Sequence, residues 1–270
     1  MTSEIKSEVA EFSATIDGGL FRAWVEAIVS ITDEVILDVG RSGITVKAVD
    51  PAHVSMVQTT LKRSAFTKLY VSRPGIVGIN MEKVGEVLRA VKKGQEVRID
   101  VVKSKDKDGP DQEITIMLGS ITRQFGSVDV NSLHRPNVPK LDFKGEFQIT
   151  HSMWEEAIRQ AMAVSDHVIL MMSKKKKLYI NAENDEGKVV NEIPYDLLAG
   201  PVVGRSFNIR SLYPLDYLHL TIKQGKTGMK RLFKGHTLTI KINNEYPMLL
   251  GVYEDDWDFT MLLAPRVERD

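Results

Sequence analysis

Two stretches of this chain repeat each other at half its length, and nothing else in the sequence constrains the fold as much. Glu11-Phe12-Ser13-Ala14-Thr15 and Asp33-Glu34-Val35-Ile36-Leu37 frame one apolar-periodic segment. Glu146-Phe147-Gln148-Ile149-Thr150 and Asp166-His167-Val168-Ile169-Leu170 frame another. The offset is 135 residues at the start of the frame and 133 at its end, in a chain of 270. A duplication at half-length predicts two copies of one domain, each burying a helix face against strands. The length leaves room for a separate core in each copy.

The formal net charge is zero, so a nucleic-acid role would have to come from where charge is placed, not from bulk basicity. The chain has no cysteine, which excludes disulfides, thiolate metal sites and cysteine nucleophiles together. Met1 to Glu8 is polar and partly acidic, unlike a signal peptide, and no apolar run approaches membrane-spanning length. The expectation is a soluble protein that stays inside the cell.

Asp17 can cap a first helix whose stripe is Leu20, Trp24, Ala27, Ile28 and Ile31, with Arg22, Glu26 and Val29 on the other side. Asn80 can cap a second, with Val84, Val87, Leu88 and Val91 inward and an end before Gly94. Ser152 and Glu155 form a capping box for a third, striped by Trp154, Ala157, Ile158 and Ala161. A fourth is predicted from near Ser211, with Pro214 in its first turn and Leu215, Leu218 and Ile222 inward. Alternating or β-branched runs predict strands between them, including residues 121–130, 178–181, 237–242, 248–253 and 259–264. Pro136 and Pro139 make residues 131–143 an extended connector between a first domain, 1–130, and a second, 144–270. The fold class predicted is α+β: two similar domains of antiparallel sheet with two helices each.

Searching for catalysis returns little. Lys223-Gln224-Gly225-Lys226-Thr227 imitates the end of a phosphate-binding loop, but Leu220 stands where the first glycine is required. Glu254, Asp255, Asp256 and Asp258 could hold magnesium in a nuclease-like site, while a solvated hairpin turn explains them more simply. The histidines are scattered, with no matched pair on one helix face. The basic residues carry more information. Arg22, Lys83, Arg89, Lys92, Lys93, Arg159, Arg210, Lys223 and Lys226 all lie on predicted helices off the core stripe, or beside a helix end. Solvated helix faces and a sequence-independent phosphate lining both fit them.

Gly43-Ile-Thr-Val-Lys-Ala-Val-Asp-Pro-Ala-His-Val-Ser-Met-Val-Gln-Thr-Thr-Leu61 resembles a motif of the DNA polymerase sliding clamps, the proliferating cell nuclear antigen family. Leu263-Ala264-Pro265-Arg266-Val267-Glu268 is similar to that family's C-terminal ending, and Val138-Pro139-Lys140-Leu141-Asp142-Phe143 to its interdomain connector. The connector and the absence of cysteine are closer to archaeal members. The resemblance implies a ring of three two-domain subunits, helices lining the hole, threaded by duplex DNA. It implies no catalysis and no cofactor or metal. Partners would be a polymerase, clamp loader, flap endonuclease and DNA ligase, held through short peptide motifs. The loader, not the ring, would consume ATP. Location would be cytoplasmic in an archaeal-like source and nuclear in a eukaryotic one.

Carried over by position, the partner pocket would be Val49, His53, Val54, Met56, Val138, Pro139, Phe143, Met261, Leu262, Leu263, Ala264 and Pro265. The edges that close the ring would include Ile121, Arg123 and Phe125 from one subunit and Leu178 and Ile180 from the next. Glu156 and Val29 depart from the family's basic pattern. A member of a heterotrimeric or checkpoint-type clamp is the rival of the same fold, and a magnesium-dependent nuclease the rival of another class.

Overall fold

Alternation sets the first strand. In β1 (Glu11–Asp17) Phe12, Ala14 and Ile16 are buried while Ser13 and Thr15 face outward. The computed structural model describes residues 10–106, 109–204 and 208–266, and divides into two units. One takes the chain up to Pro51 with Val57–Pro136 and Tyr253–Phe259; the other takes Ala52–Met56, Asn137–Val252 and the chain from Thr260. The change of unit after Pro136 falls inside the predicted connector.

In the first unit β1 leads into α1 (Gly18–Val29), then β2 (Glu34–Gly40), β3 (Gly43–Val49), β4 (Ser55–Lys62), β5 (Phe66–Arg73) and β6 (Gly75–Asn80). After α2 (Met81–Leu88) come β7 (Glu96–Lys103), β8 (Gln112–Leu118) and β9 (Ile121–Gly126). One sheet runs β5-β1-β7-β8-β9, and β4-β3-β2-β6 are neighbours in another.

The second unit repeats the wiring. β10 (Gly145–Thr150) leads into α3 (His151–Met162), β11 (His167–Ser173), β12 (Lys177–Glu183) and β13 (Lys188–Pro194). Then follow β14 (Ile209–Pro214), α4 (Leu215–Leu220), α5 (Lys230–Phe233), β15 (Thr237–Ile242), β16 (Met248–Tyr253) and β17 (Trp257–Leu263), of which Tyr253 and Trp257–Phe259 belong to the first unit. β2 pairs with β3 and β6, and β11 pairs with β12 and β14. β1 pairs with β5 and β7; β10 pairs with β15, but on its other side keeps only a bridge from Glu146 to Val203.

Each duplicated helix buries a tryptophan whose indole N–H is relayed through a threonine. Trp24 donates to Thr59 Oγ1 at 2.8 Å, and that hydroxyl donates to the Asp258 carbonyl at 2.7 Å. Trp154 donates to Thr221 Oγ1 at 2.9 Å, and that hydroxyl to the Leu218 carbonyl at 2.6 Å. Buried indole and hydroxyl are thus both satisfied.

Several boundaries differ from expectation, each for a local reason. The fourth helix does not start at Ser211. Residues 209–214 form β14, buried from Ser211 to Pro214, and Pro214 becomes the N-cap of a six-residue helix. α3 is capped by Thr150, whose hydroxyl accepts from Met153 N–H, so Ser152 and Glu155 form no capping box. α2 ends at Leu88, and Lys92 and Lys93 lie in the turn closed by Gly94 at φ 73°. The predicted strand 121–130 stops at Gly126. β6 was hidden by its glycines; a Cβ on Gly78 would stand 2.2 Å from the Val128 carbonyl oxygen.

Gly43, which opens the motif quoted above, has a similar explanation. Its φ is 142°, and a Cβ would lie 2.1 Å from the backbone oxygen of Leu61. Gly43→Ala is therefore expected to destabilise the first unit by roughly 2–4 kcal/mol, read as a lower urea midpoint at unchanged slope. An unchanged midpoint would mean the β2–β3 turn relaxes freely.

Candidate nucleic-acid interface and partner pocket

In the first unit α1 packs against α2. Arg22 Nε holds Glu26 Oε1 at 2.8 Å, and its Nη1 reaches the Arg89 carbonyl at 3.4 Å. Glu26 is therefore not on an open face as expected; it is only 5% exposed. Arg22 is anchored between the helices, with two of its five N–H donors spent. Lys83, Arg89, Lys92 and Lys93 are exposed, and none of their side chains makes an ion pair among the described residues. Three of them sit at or just past the C-terminal end of α2, where the helix dipole favours cations.

In the second unit Arg159 lies exposed on α3, bound to Glu155 Oε1 through Nε at 3.0 Å and Nη2 at 2.6 Å. Lys230 of α5 holds the same carboxylate oxygen. Burial works against the charged Glu155, yet Lys230 and Arg159 together hold its carboxyl below the usual range. The rung of α1 is thus reversed in α3, arginine-then-glutamate becoming glutamate-then-arginine, the order better suited to the helix dipole. Lys223 is half-buried just past α4 and Lys226 is exposed. Arg210 is not on a helix. It is exposed on β14, opposite Met171, with its backbone N–H on Asn244 Oδ1.

The residues carried over as a partner pocket fare unevenly. His53 is exposed and left-handed, at φ 57°. The Val54 carbonyl accepts the Ala264 N–H at 2.9 Å, tying the loop 52–56 to the C-terminal segment within the second unit. The Arg266 N–H continues to the Leu212 carbonyl at 2.8 Å, and its guanidinium to Asp166 at 2.9 Å; Val267 and Glu268 lie outside the described residues. Met261 and Leu263 are 0% exposed and belong to the core, because β17 alternates and of these three residues turns only Leu262 outward. Ala264, Pro265 and Met56 are half-buried, and Val138 and Pro139 are exposed. Phe143 packs edge-on against Tyr246, ring centres 5.9 Å apart, so it is not an open contact. Val49 lines a cavity of about 390 Å³ in the first unit together with Leu133 and His134, which the sequence reading left out.

The strands at which the sequence placed ring closure differ in position. β9 ends its sheet, with Ile121 44% exposed, Phe125 half-buried, and Arg123 bound to Glu86 at 2.7 Å. Leu178 and Ile180 are not on such an edge: β12 is interior and both are 0% exposed. The edge of that sheet is β13, where Val190 is 52% exposed.

The acidic run after β16 is a turn held by its backbone. Lys62 binds the Glu254 carbonyl, Lys62 N–H the Asp256 carbonyl, and Ser64 the Asp255 carbonyl. Burial pushes the Asp258 carboxyl up, against the pull of Lys62 and Thr60. Among the described residues no three His, Asp or Glu side chains are grouped to hold a metal ion. Lys223–Thr227 joins α4 toward α5 and follows no strand, unlike a phosphate-binding loop. Among the described residues no helix is long and apolar enough to cross a membrane.

Residues 11–123 match the family described as "Proliferating cell nuclear antigen, N-terminal domain". The chain is 29% identical over 259 residues to the DNA polymerase sliding clamp of Methanothrix thermoacetophila, covering 95% of this chain and 99% of that one. It is 28% identical to that of Natronomonas pharaonis, over 96% of this chain and all of the other. Among solved structures, the A. fulgidus PCNA bound to the C-terminal region of FEN-1 superimposes with a TM-score of 0.84 at 22% identity, covering 96% of this chain and 100% of that one. A PCNA2–PCNA3 complex from Sulfolobus tokodaii gives 0.75 at 20% identity, over 95% and 100% of the two chains. Over nearly its whole length the chain is thus similar to DNA polymerase sliding clamps, and residues 11–123 match the N-terminal domain of proliferating cell nuclear antigen.

Proposed function

We propose that this chain is a processivity clamp: a subunit of a ring that encircles duplex DNA, ignores base identity and tethers DNA polymerase and other replication and repair enzymes. The observation that carries the reading is the repeated wiring, with a cation-bearing helix pair in each unit and a sheet-end strand in each. The end strands β9 and β13 are unlike each other, so subunits joined through them associate head to tail. Head-to-tail contacts make closed rings when the rotation closes. Threading holds the ring on DNA although each phosphate contact is weak and salt-screened. The domains are 1–130 and 144–270, joined by 131–143. The protein performs no catalysis, and a separate loader opens the ring at the expense of ATP. It acts in the cytoplasm of an archaeal-like cell, or in the nucleus of a eukaryotic one.

Solution mass tests the assembly: the pure chain should run at three times its 30.3 kDa. A monomer that forms no larger species, alone or with sister subunits, overturns the reading. A trimer only with other chains selects the heteromeric ring, the second reading, which the Sulfolobus tokodaii complex supports by likeness.

Client peptides would dock through His53, Val54, Met56, Val138, Pro139, Leu262, Ala264 and Pro265, as a short helical turn on an apolar seat. Leu262→Ala should weaken binding of such a peptide by about fivefold or more, measured by calorimetry, without lowering the unfolding free energy in urea by more than ~1 kcal/mol. Leu263→Ala should instead cost about 2–5 kcal/mol of stability, as its burial requires. Undiminished peptide binding by the first variant would mean the seat lies elsewhere.

A further inference from the structure

The cations of the second unit do not form a flat lining. Between α3 and the α4–α5 turn lies a cavity of about 390 Å³ walled by Arg159, Met162, His219, Ile222, Lys223 and Lys230. No acidic residue lines it, whereas the cavity of equal volume beside β2 in the first unit is lined by Asp33 and Glu34. Glu155, bound to Arg159 and Lys230, fixes those two side chains and leaves three guanidinium N–H donors unspent. The ammonium of Lys223 and the imidazole of His219 have no hydrogen-bond or ion-pair partner among the described residues. The spare donors of Arg159 and the unpartnered ammonium of Lys223 around one cavity fit an anion.

We infer that this cleft seats one backbone phosphate of the duplex, with Arg159 and Lys223 as standing charges and His219 as a third ligand that charges on contact. The inference rests on the reading of the chain as a clamp. Met162 and Ile222 offer an apolar lip to sugar carbons, and nothing in the lining reads a base edge. His219 sits in the last turn of α4, facing Lys223 on the following turn and Arg159 across from α3, with Lys230 on the same cleft and its partner Glu155 behind the lining. Burial, then Lys223, then Arg159 push its pKa down, so the empty cleft holds a neutral ring near pH 7. A phosphate between these groups cancels the repulsion and raises the pKa, so binding takes up a proton. By that linkage the grip tightens as pH falls through the range where histidine titrates.

The test compares wild type with His219→Asn, as full chains, binding a short fluorescent duplex at low salt between pH 8 and 5.5. Sulfate, whose charge is constant over that range, serves as the small-anion probe. Between pH 8 and pH 5.5 wild type should tighten on the duplex about two- to fivefold more than the variant does. The imidazole C–H resonance of His219 should titrate at higher pH when duplex or sulfate is present. That second measurement stands even if the variant folds poorly. Identical pH profiles together with an unmoved resonance overturn the assignment of His219 and the cleft while leaving the clamp reading intact. Failure of the duplex to bind at any pH overturns the clamp reading itself.

Discussion

Trp154→Ala should destabilise the second unit by about 3–5 kcal/mol, the largest effect expected of any single substitution considered. The side chain is 0% exposed, and its loss also strips Thr221 Oγ1, itself 0% exposed, of its donor. Domains of this size are stable by only about 5–15 kcal/mol, so little margin would remain. The three tryptophans make the result easy to localise. Trp24 and Trp257 both lie in the first unit, so indole fluorescence of the variant reports that unit alone, while far-ultraviolet dichroism reports both. In urea the dichroism should show an early phase that fluorescence does not. Trp154→Phe keeps most of the volume and should cost roughly 1–2 kcal/mol, mainly the lost hydrogen bond. Coincident transitions at the wild-type midpoint would show that the cavity is filled by rearrangement, or that the units do not unfold separately.

The second large effect concerns grip. Arg89→Glu combined with Lys93→Glu reverses two exposed charges at the C-terminal end of α2, neither of them used in an ion pair among the described residues. If each meets a phosphate, the slope of log affinity against log salt should fall by about two per chain, and polymerase stimulation by on the order of tenfold or more. Solution mass should not change, because neither residue lies on β9 or β13. Unchanged processivity would place these side chains away from DNA. Arg22→Glu would be a poorer test: it also removes the partner of buried Glu26, so weaker binding could not be separated from damage to the α1–α2 contact.

What could be read in advance follows from how strongly each segment is patterned. β15 and β16 were legible residue by residue, because alternating or wholly apolar runs there are bounded by turns. β14 was misread because Ser211, Leu212, Tyr213 and Pro214 are all buried, and a strand covered on both faces loses its period of two. Leu212, three residues before Leu215, then extends the true helical spacing of Leu215 and Leu218 backward into the strand. β13 went unseen for the opposite reason: Lys188-Val-Val-Asn-Glu-Ile-Pro194 is an edge strand, polar enough to pass for a loop. For the site, composition and spacing put cations on helices but could not tell which were already answered. Arg22 and Lys83 look alike in sequence; one is anchored to Glu26 and the other is not. The burial of Met261 and Leu263 was readable, since Phe259, Met261 and Leu263 fall on one parity of a strand.

The left-handed backbone at His53 has a consequence for recognition. A non-glycine residue in that conformation is held there by its surroundings, here by Val54 hydrogen-bonded to Ala264 one position on. If clients dock on this loop as proposed, it is shaped before any visitor arrives, and little ordering entropy remains to be lost on the clamp side. Competition among tethered enzymes would then be decided by how much each peptide must stiffen to fit a seat that does not yield.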